Sequence, residues 1–306
     1  MNEPTKQRFR ANPAQFLDEC IKAYVRTSPL NRLEAFADAP IFDEPLVGFA
    51  DGADALFQEY KTIIGDFHLT PLQALGQHLE AIPEINPQEV STASVISWVL
   101  PIHKDTRLSN RRETRGPSVH WNHTRWHGQP FIFELSRFVI SVLQEMGHHA
   151  VAPEMSASFQ MRELRDGLTS TWSQRHIAYA AGLGTFGLSD GFITPRGVAM
   201  RCGSVVTDLK LPPTPRPYSN HLANCLFYAD GSCRRCRERC PGGAITERGH
   251  DKKKCFTTLF LEQKPWIDGA HGEGYIGAYA GCGLCQTKTP CEDRIPPRKR
   301  HGTTSA

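Results

Sequence analysis

The sequence predicts a mixed α/β (α+β) domain followed by a small cysteine-rich, metal-binding domain. Three observations carry this. A short β-branched strand, a long amphipathic helix and a second strand follow one another between residues 94 and 152. Four prolines within residues 211–217 interrupt the chain. Eight of the ten cysteines lie between Cys225 and Cys291.

The first segment reads as a helix, because Phe16, Leu17, Cys20, Ile21 and Tyr24 recur at three- and four-residue spacing. Cys20 lies on that apolar stripe and is expected in the core. A Pro/Asp-rich stretch, Pro40 to Gly52, precedes a second helix over Ala53–Ile64. Ser94–Leu100 is short, rich in Val and Ile and ends at Pro101, as a buried strand does. Pro130 is expected to open a helix whose face is Phe131, Leu135, Phe138, Val139, Val142, Leu143 and Met146, with Gly147 just past its end. His149–Ala152 reads as the next strand. This order suits a three-layer α/β or α+β domain. Trp172–Ala181 reads as a helix running into a glycine-rich turn at Gly182, Gly184 and Gly187, and Cys202–Leu209 as a further strand. Glycines let backbone approach something flat or bulky. The spacing matches the dinucleotide fingerprint, but a helix precedes it and no helix clearly follows, so a Rossmann site is rejected. A turn without ligand is the plain alternative. Domain limits follow: 1–210 for the first domain, 211–217 as a linker, 218–293 for the cysteine domain and 294–306 as a basic flexible tail.

Composition limits the function classes. With 306 residues, 40% apolar and 22% charged, the chain is neither disordered nor fibrous. Its longest apolar runs, such as Ala93–Pro101, reach about half the ~20 residues of a membrane span. No charged-then-apolar leader is visible. The expectation is a soluble, cytoplasmic protein. Residues 225–306 carry a balance of +5 and residues 1–224 one of −2. That bias fits an acidic partner, nucleic acid or simply a solvated face.

The cysteines point to chemistry. Their order is Cys225-x7-Cys233-x2-Cys236-x3-Cys240-Pro241, then Cys255, then Cys282-x2-Cys285-x5-Cys291. The C-x-x-C-x-x-x-C-P core is the bacterial ferredoxin arrangement with one ligand displaced. Eight thiolates supply two [4Fe–4S] clusters with none left over, and thiolates suit iron rather than hard cations. Zinc on Cys233, Cys236, Cys282 and Cys285 is the alternative. It leaves Cys225, Cys240, Cys255, Cys291 and the Cys–Pro step unexplained. In two-cluster ferredoxins the cysteine before proline serves the other cluster. Applied here, the sets are Cys225/Cys233/Cys236/Cys291 and Cys240/Cys255/Cys282/Cys285. The arginines among Cys233–Cys240 add positive charge, which tends to raise a reduction potential.

Four motifs, Ala181-Gly-Leu-Gly-Thr-Phe-Gly-Leu188, Gly203-Ser-Val-Val-Thr-Asp-Leu209, Cys233-Arg-Arg-Cys-Arg-Glu-Arg-Cys-Pro-Gly-Gly-Ala-Ile245 and Tyr279-Ala-Gly-Cys-Gly-Leu-Cys285, resemble those of the epoxyqueuosine reductases. The likeness covers roughly residues 170–290 well and 90–150 loosely. It extends to their relatives, the corrinoid-dependent reductive dehalogenases. The resemblance implies a nitroreductase-like domain with a corrinoid (cobalamin), and a ferredoxin-like domain with two [4Fe–4S] clusters. It also implies that Gly182, Gly184, Gly187 and the strand after them line the corrinoid site. Three departures stand out. Asp230 replaces the family's first cluster cysteine, with Cys225 earlier. Pro290 precedes the last cysteine. The segment Arg125–Pro130 lacks the family's proton-donor aspartate, leaving His127 or Glu134 as candidates.

The function expected is an iron–sulfur oxidoreductase that takes electrons from a low-potential ferredoxin or flavodoxin-type donor to a reductive site. The alternative is an electron carrier or activator without its own catalytic site. The substrate is unknown; tRNA fits the resemblance, although the sequence ends soon after the cysteines and no helical-repeat extension is expected. Residues 120–127, with three His, two Trp and an Arg, are either the wall of a flat ligand or a packed aromatic segment. Cys202 is either core or beside the cofactor.

Overall fold

The computed structural model describes residues 1–82, 86, 90–165, 167–262 and 273–298. Helices α1 (Glu3–Ala11) and α2 (Pro13–Thr27) open the chain, each started by an asparagine side chain that accepts a first-turn backbone N–H. The pair β1 (Arg32–Leu33) and β2 (Ala39–Pro40) leads to β3 (Leu46–Asp51). Then come α3 (Leu56–Ile63), α4 (Pro71–Leu79), β4 (Ser94–Pro101), α5 (Lys104–Arg112), α6 (Val119–Glu145) and β5 (Ala150–Val151). An antiparallel pair, β6 (Met161–Leu164) and β7 (Gly167–Ser170), is followed by α7 (Gln174–Ala180), a second pair, β8 (Thr185–Phe186) and β9 (Phe192–Ile193), and β10 (Met200–Thr207).

The main sheet has the order β3–β4–β10–β5, every neighbouring pair antiparallel, with Ser94 opposite Thr207 and Pro101 opposite Met200. All eight residues of β4 are buried. Side chains alternate across a strand. Ile96, Trp98 and Leu100 therefore join Leu17 and Ile21 of α2 and Leu135 and Val139 of α6 in one core. Val95 and Val99 join Phe57, Leu75 and Ile177 on the other face. Helices thus cover both faces, a three-layer mixed α/β arrangement. Each fully buried Val, Leu or Ile contributes about 1.5–3 kcal/mol through removal of apolar surface from water.

The long helix starts earlier than its sequence suggests. Pro130 does not open α6 but lies inside it; the start is Ser118, whose hydroxyl accepts the Trp121 N–H. Proline removes one i→i−4 bond. The helix continues because both halves of it are packed: Trp121 and Thr124 before the proline are buried, as are Phe131, Ile132 and Leu135 after it. Consequently the His/Trp segment 120–127 is helical and belongs to the same rod as the core face.

The proline run 211–217 is bound to the sheet edge. Leu211 is buried and its N–H donates to Ser94 Oγ. Thr214 pairs with Phe49 of β3 on both sides, through its N–H to the Phe49 carbonyl and through its Oγ accepting the Phe49 N–H. Arg216 pairs with Asp54. This covers part of an otherwise open strand edge.

After it come α8 (Leu226–Asp230), α9 (Arg235–Glu238), the pair β11 (Ile245–Thr246) and β12 (Gly249–His250), and α10 (Lys252–Thr257). A third core joins Leu188, Ile193 and Val198 from before the proline run to Cys225, Ile245, Phe227 and Cys291 from after it. Of the tail, Arg294 pairs with Asp293 and Arg298 donates to the Ala223 carbonyl; residues 299–306 of that segment lie outside the described residues.

Two histidines are built into the α/β domain as neutral rings. His68 lies flat on Trp172 and its Nε2 accepts the Ser173 N–H. His176 shares a hydrogen bond with Ser173 Oγ. Burial, followed by nearby cations, lowers His68 to about 4 and His176 to about 3. An unfolded histidine titrates near 6.5, so below that pH the unfolded chain takes up protons the folded one refuses. Stability is therefore complete above about pH 7 and falls as the pH drops from about 6.5 toward 4, by about 2 kcal/mol per ring at pH 5. Urea midpoints at pH 7.5 and 5.0 check this. His68→Gln is expected to shrink the acid-induced loss by roughly half; an unchanged loss would show that other groups carry it.

Candidate metal centre and adjoining cavity

The eight clustered cysteines fall into two groups of four. Cys225, Cys233, Cys236 and Cys291 line one small cavity, together with Gly187, Ile193 and Val198. Cys240, Cys255, Cys282 and Cys285 line a second, larger cavity, which extends between the cysteine region and the α/β core. Among the described residues, no three His, Cys, Asp or Glu stand in a group tight enough for a single ion. A zinc ion in four thiolates holds its sulfurs about 3.8 Å apart, from a ~2.3 Å bond in tetrahedral geometry.

Local structure sets each thiol. Cys225 is the residue before α8, Cys236 lies on α9 and Cys255 on α10. Cys285 sits in a short 3-10 turn that follows Gly283. Gly283 has φ +66°, and a Cβ there would enter the Trp121 ring, so the Cys282–Cys285 turn is seated directly on an α6 side chain. Cys291 is fixed by its carbonyl, which accepts the Val198 N–H at 2.8 Å. Burial is the first cause that raises these thiols, and neighbouring cysteines add to it: Cys236 rises to about 12, Cys255 and Cys291 to about 11, and Cys285 well above the ordinary thiol value.

The segment that returns from Glu273 to Arg298 is clamped to α5 and α6. Glu292 is completely buried and receives Arg107 at 3.1 Å and Arg111 at 2.8 Å, while Arg107 also reaches Asp293. Asn110 donates to the Cys282 carbonyl and to Thr287 Oγ1. Asn122 donates to the carbonyls of Ile276 and Ala280 and accepts the Ile276 N–H. Trp126 donates to the Tyr279 carbonyl. Arg239, next to Cys240, is buried and donates to the carbonyls of Thr287, Glu113 and Asn110. The other arginines of that motif are engaged at the surface: Arg234 and Arg237 with Glu247, and Arg235 with Glu238. Arg239 is thus the arginine of the motif that is directed inward.

The glycine turn has a different neighbourhood from the one its sequence suggests. A Cβ on Gly182 would meet the Pro215 carbonyl oxygen at 2.6 Å, and one on Gly184 the Ile193 carbonyl oxygen at 2.5 Å. The close approach at these two positions is made by the chain's own backbone. Gly187 borders the first cysteine cavity, and none of the three lines the large one. His127 is exposed and Glu134 pairs with Arg137; neither lines the large cavity. His120 stacks on Phe36 and His123 bonds to the Gly274 carbonyl, so these two rings are packed. Cys20 packs against the first core, and Cys202 against the second with its thiol raised to about 12 by burial. Asp230 accepts the Ser232 N–H.

Trp121 and Arg125, from the segment 120–127 read as either a ligand wall or a packed aromatic stretch, line the large cavity beside the second cysteine set. Arg175, Arg201, Phe260 and Tyr279, which the sequence did not single out as site residues, line it as well. Arg125 donates to the Tyr279 hydroxyl at 2.5 Å and lies over its ring. Trp121 and Arg125 are four residues apart and so share one face of α6.

Removing one partner of a buried ion pair costs about 3–5 kcal/mol, because the other charge stays buried. Glu292→Ala is expected to lower stability by that order, measured by urea unfolding, and to loosen the neighbouring Cys291. Arg111→Ala, at the half-exposed partner, is expected to cost no more than about 1 kcal/mol. Equal effects of the two substitutions would show that the buried carboxylate is not the anchor.

No family model matches the chain. The epoxyqueuosine reductase of Bacillus anthracis is 30% identical over 251 residues, which is 80% of this chain and 60% of that protein. The epoxyqueuosine reductase of Synechocystis is 32% identical over 127 residues, 40% of this chain and 39% of its own. Among solved structures, an epoxyqueuosine reductase with an epoxyqueuosine-modified tRNA-Tyr stem loop matches with a TM-score of 0.46 and 18% identity, over 93% of this chain and 70% of that one. The chain spans about 60% of the length of the Bacillus relative. It is epoxyqueuosine reductase-like in sequence, over four fifths of its own length.

Proposed function

We propose that the protein is an iron–sulfur reductase of the epoxyqueuosine reductase type, with two [4Fe–4S] clusters and a reductive site in the large cavity. The observation that carries this is the sorting of eight cysteines into two complete quartets that line two separate cavities, the second continuous with a space walled by the α/β core. Cys225, Cys233, Cys236 and Cys291 would hold one cluster, and Cys240, Cys255, Cys282 and Cys285 the other. The donor chemistry fits. Buried thiols with raised pKa values resist ionisation on their own, and a strongly cationic iron core is what makes four buried thiolates favourable together. A single zinc ion drawing on Cys233, Cys236, Cys282 and Cys285 would have to take two thiols from each cavity, which speaks for a cluster in each quartet.

When bound, the clusters supply one-electron transfer. The protein's part is to hold them rigidly and to wall the larger space beside them. Trp121, Phe260 and Tyr279 give that space apolar walls. Tyr279, bonded to Arg125, presents a hydroxyl proton there. A low-potential ferredoxin or flavodoxin-type donor would deliver the electrons. A corrinoid, which the family resemblance implies, would be held in the large cavity by Met200 and the aromatic walls rather than by Gly182 and Gly184, whose free space is filled by Pro215 and Ile193. The substrate class of the relatives, a modified tRNA base, is part of the same proposal. The carrier reading is less favoured, since a pure carrier has no use for a large cavity between its cluster region and a second domain.

Anaerobic reconstitution tests the clusters. About eight irons per chain are expected, retained in Cys20→Ser and Cys202→Ser. Cys225→Ser is expected to damage the first cluster more than the second and Cys255→Ser the reverse, as followed by electron paramagnetic resonance. Zinc in place of iron, or both clusters surviving Cys225→Ser while Asp230→Ala loses one, would overturn the assignment. Equilibrium dialysis with cobalamin under reducing conditions tests the corrinoid; no retained corrinoid would promote the carrier reading.

A further inference from the structure

The large cavity is lined by three guanidinium groups, Arg125, Arg175 and Arg201, and by His250, and no Asp or Glu is among its described lining residues. The three arginines come from three elements of the α/β core. Arg125 is on α6, Arg175 in the first turn of α7, and Arg201 on β10 opposite Leu100. Their hydrogen bonds go to neutral acceptors: Arg125 to the Tyr279 hydroxyl, Arg201 to the Gln129 side-chain oxygen, and Arg175, which is exposed and also acts on the Asp190 carboxylate, to the Asp190 carbonyl. The carboxylate of Glu154, which also acts on Arg201 electrostatically, is itself occupied by Gln129 and Gln174.

A cation withdrawn from bulk water without a contacting anion is costly. Burial is the main cause that draws Arg201 down to about 10, with Arg125 adding to it. The iron–sulfur proposal itself does not account for this arginine. Arg239 is the cation that the second cysteine set acts on, through Cys282 and Cys285, whereas the groups acting on Arg201 are Arg125, Glu154, Cys202 and Tyr279.

We infer that the ligand of the large cavity carries an oxyanion, a carboxylate or a phosphate, which Arg201 receives together with Arg125 and Arg175. The inference rests on the proposal that this cavity is the reaction site, and it names the chemistry of what enters. A guanidinium presents a planar fork of donors that matches both groups. The aromatic walls Trp121, Phe260 and Tyr279 require an apolar body attached to the anion. The site so described selects charge at one end and a flat apolar surface along its side.

The test uses cluster-replete protein and isothermal titration calorimetry with three probes of similar shape: phenylacetate, phenyl phosphate and the neutral phenylacetamide. At least one anion is expected to bind roughly ten or more times tighter than the amide, and the tighter of the two identifies the group. Arg201→Gln is expected to weaken that anion roughly 10- to 100-fold, the range of a lost charge-assisted hydrogen bond, with iron content kept. Arg201→Lys is expected to fall between. If Arg201→Gln loses iron, Arg125→Gln serves instead, with the same expectation. Equal binding of amide and anions, no binding of either anion, or an unchanged affinity in both variants overturns the inference. Wild-type iron content is measured on the same samples, so failure of the cluster proposal is seen separately from failure of the anion site.

Discussion

The buried carboxylate of Glu292 is the contact on which the rest of the site depends. It lies one residue after Cys291 and is gripped by Arg107 and Arg111 of α5. The neighbouring backbone continues the attachment, with Val198 and Ala199 donating to the carbonyls of Cys291 and Glu292. A charge taken out of water is stable only when its partners are in place. The returning segment is therefore held in one position, and with it Cys291 in the first quartet and Cys282 and Cys285 in the second. The carboxylate itself is not among the described lining residues of either cavity.

A second constraint acts through α6. One face of this helix forms the first core with β4, through Leu135 and Val139. Its N-terminal half carries Trp121, Asn122, Arg125 and Trp126 against the returning segment. The same rigid rod thus links the sheet to the cysteine turn at Gly283. Because the backbone of a helix satisfies its own hydrogen bonds, the side chains of this half are free to satisfy the carbonyls of an irregular segment. Asn122 does so, with Asn110 of α5 beside it, for a loop that forms little regular structure of its own.

The two halves of the chain are correspondingly not separate bodies joined by a tether. The proline run is fastened to β3, and the third core is made from both sides of it. Cysteines that follow the run share a cavity with Gly187, Ile193 and Val198 that precede it. The arrangement keeps the cysteine sets and the large cavity next to one another within one packed body.

The sequence by itself determined the strand Ser94–Pro101 and the strand–helix–strand order around it, because each is written in local spacing. Apolar period and the position of proline relative to cysteine need no distant residue to be read. The tertiary structure decided what local spacing cannot express. Pro130 sits inside α6 because packing on both sides of it outweighs one lost hydrogen bond. The glycine turn serves its own chain because Pro215 and Ile193, brought in by the fold, occupy its free space. Arg201 reads as one polar residue in a strand, and only the approach of α6, α7 and the returning segment turns it into part of a cationic cavity wall. Such long-range placement is where the charge of a site is settled, since the cost of burying a cation depends on every element that closes around it.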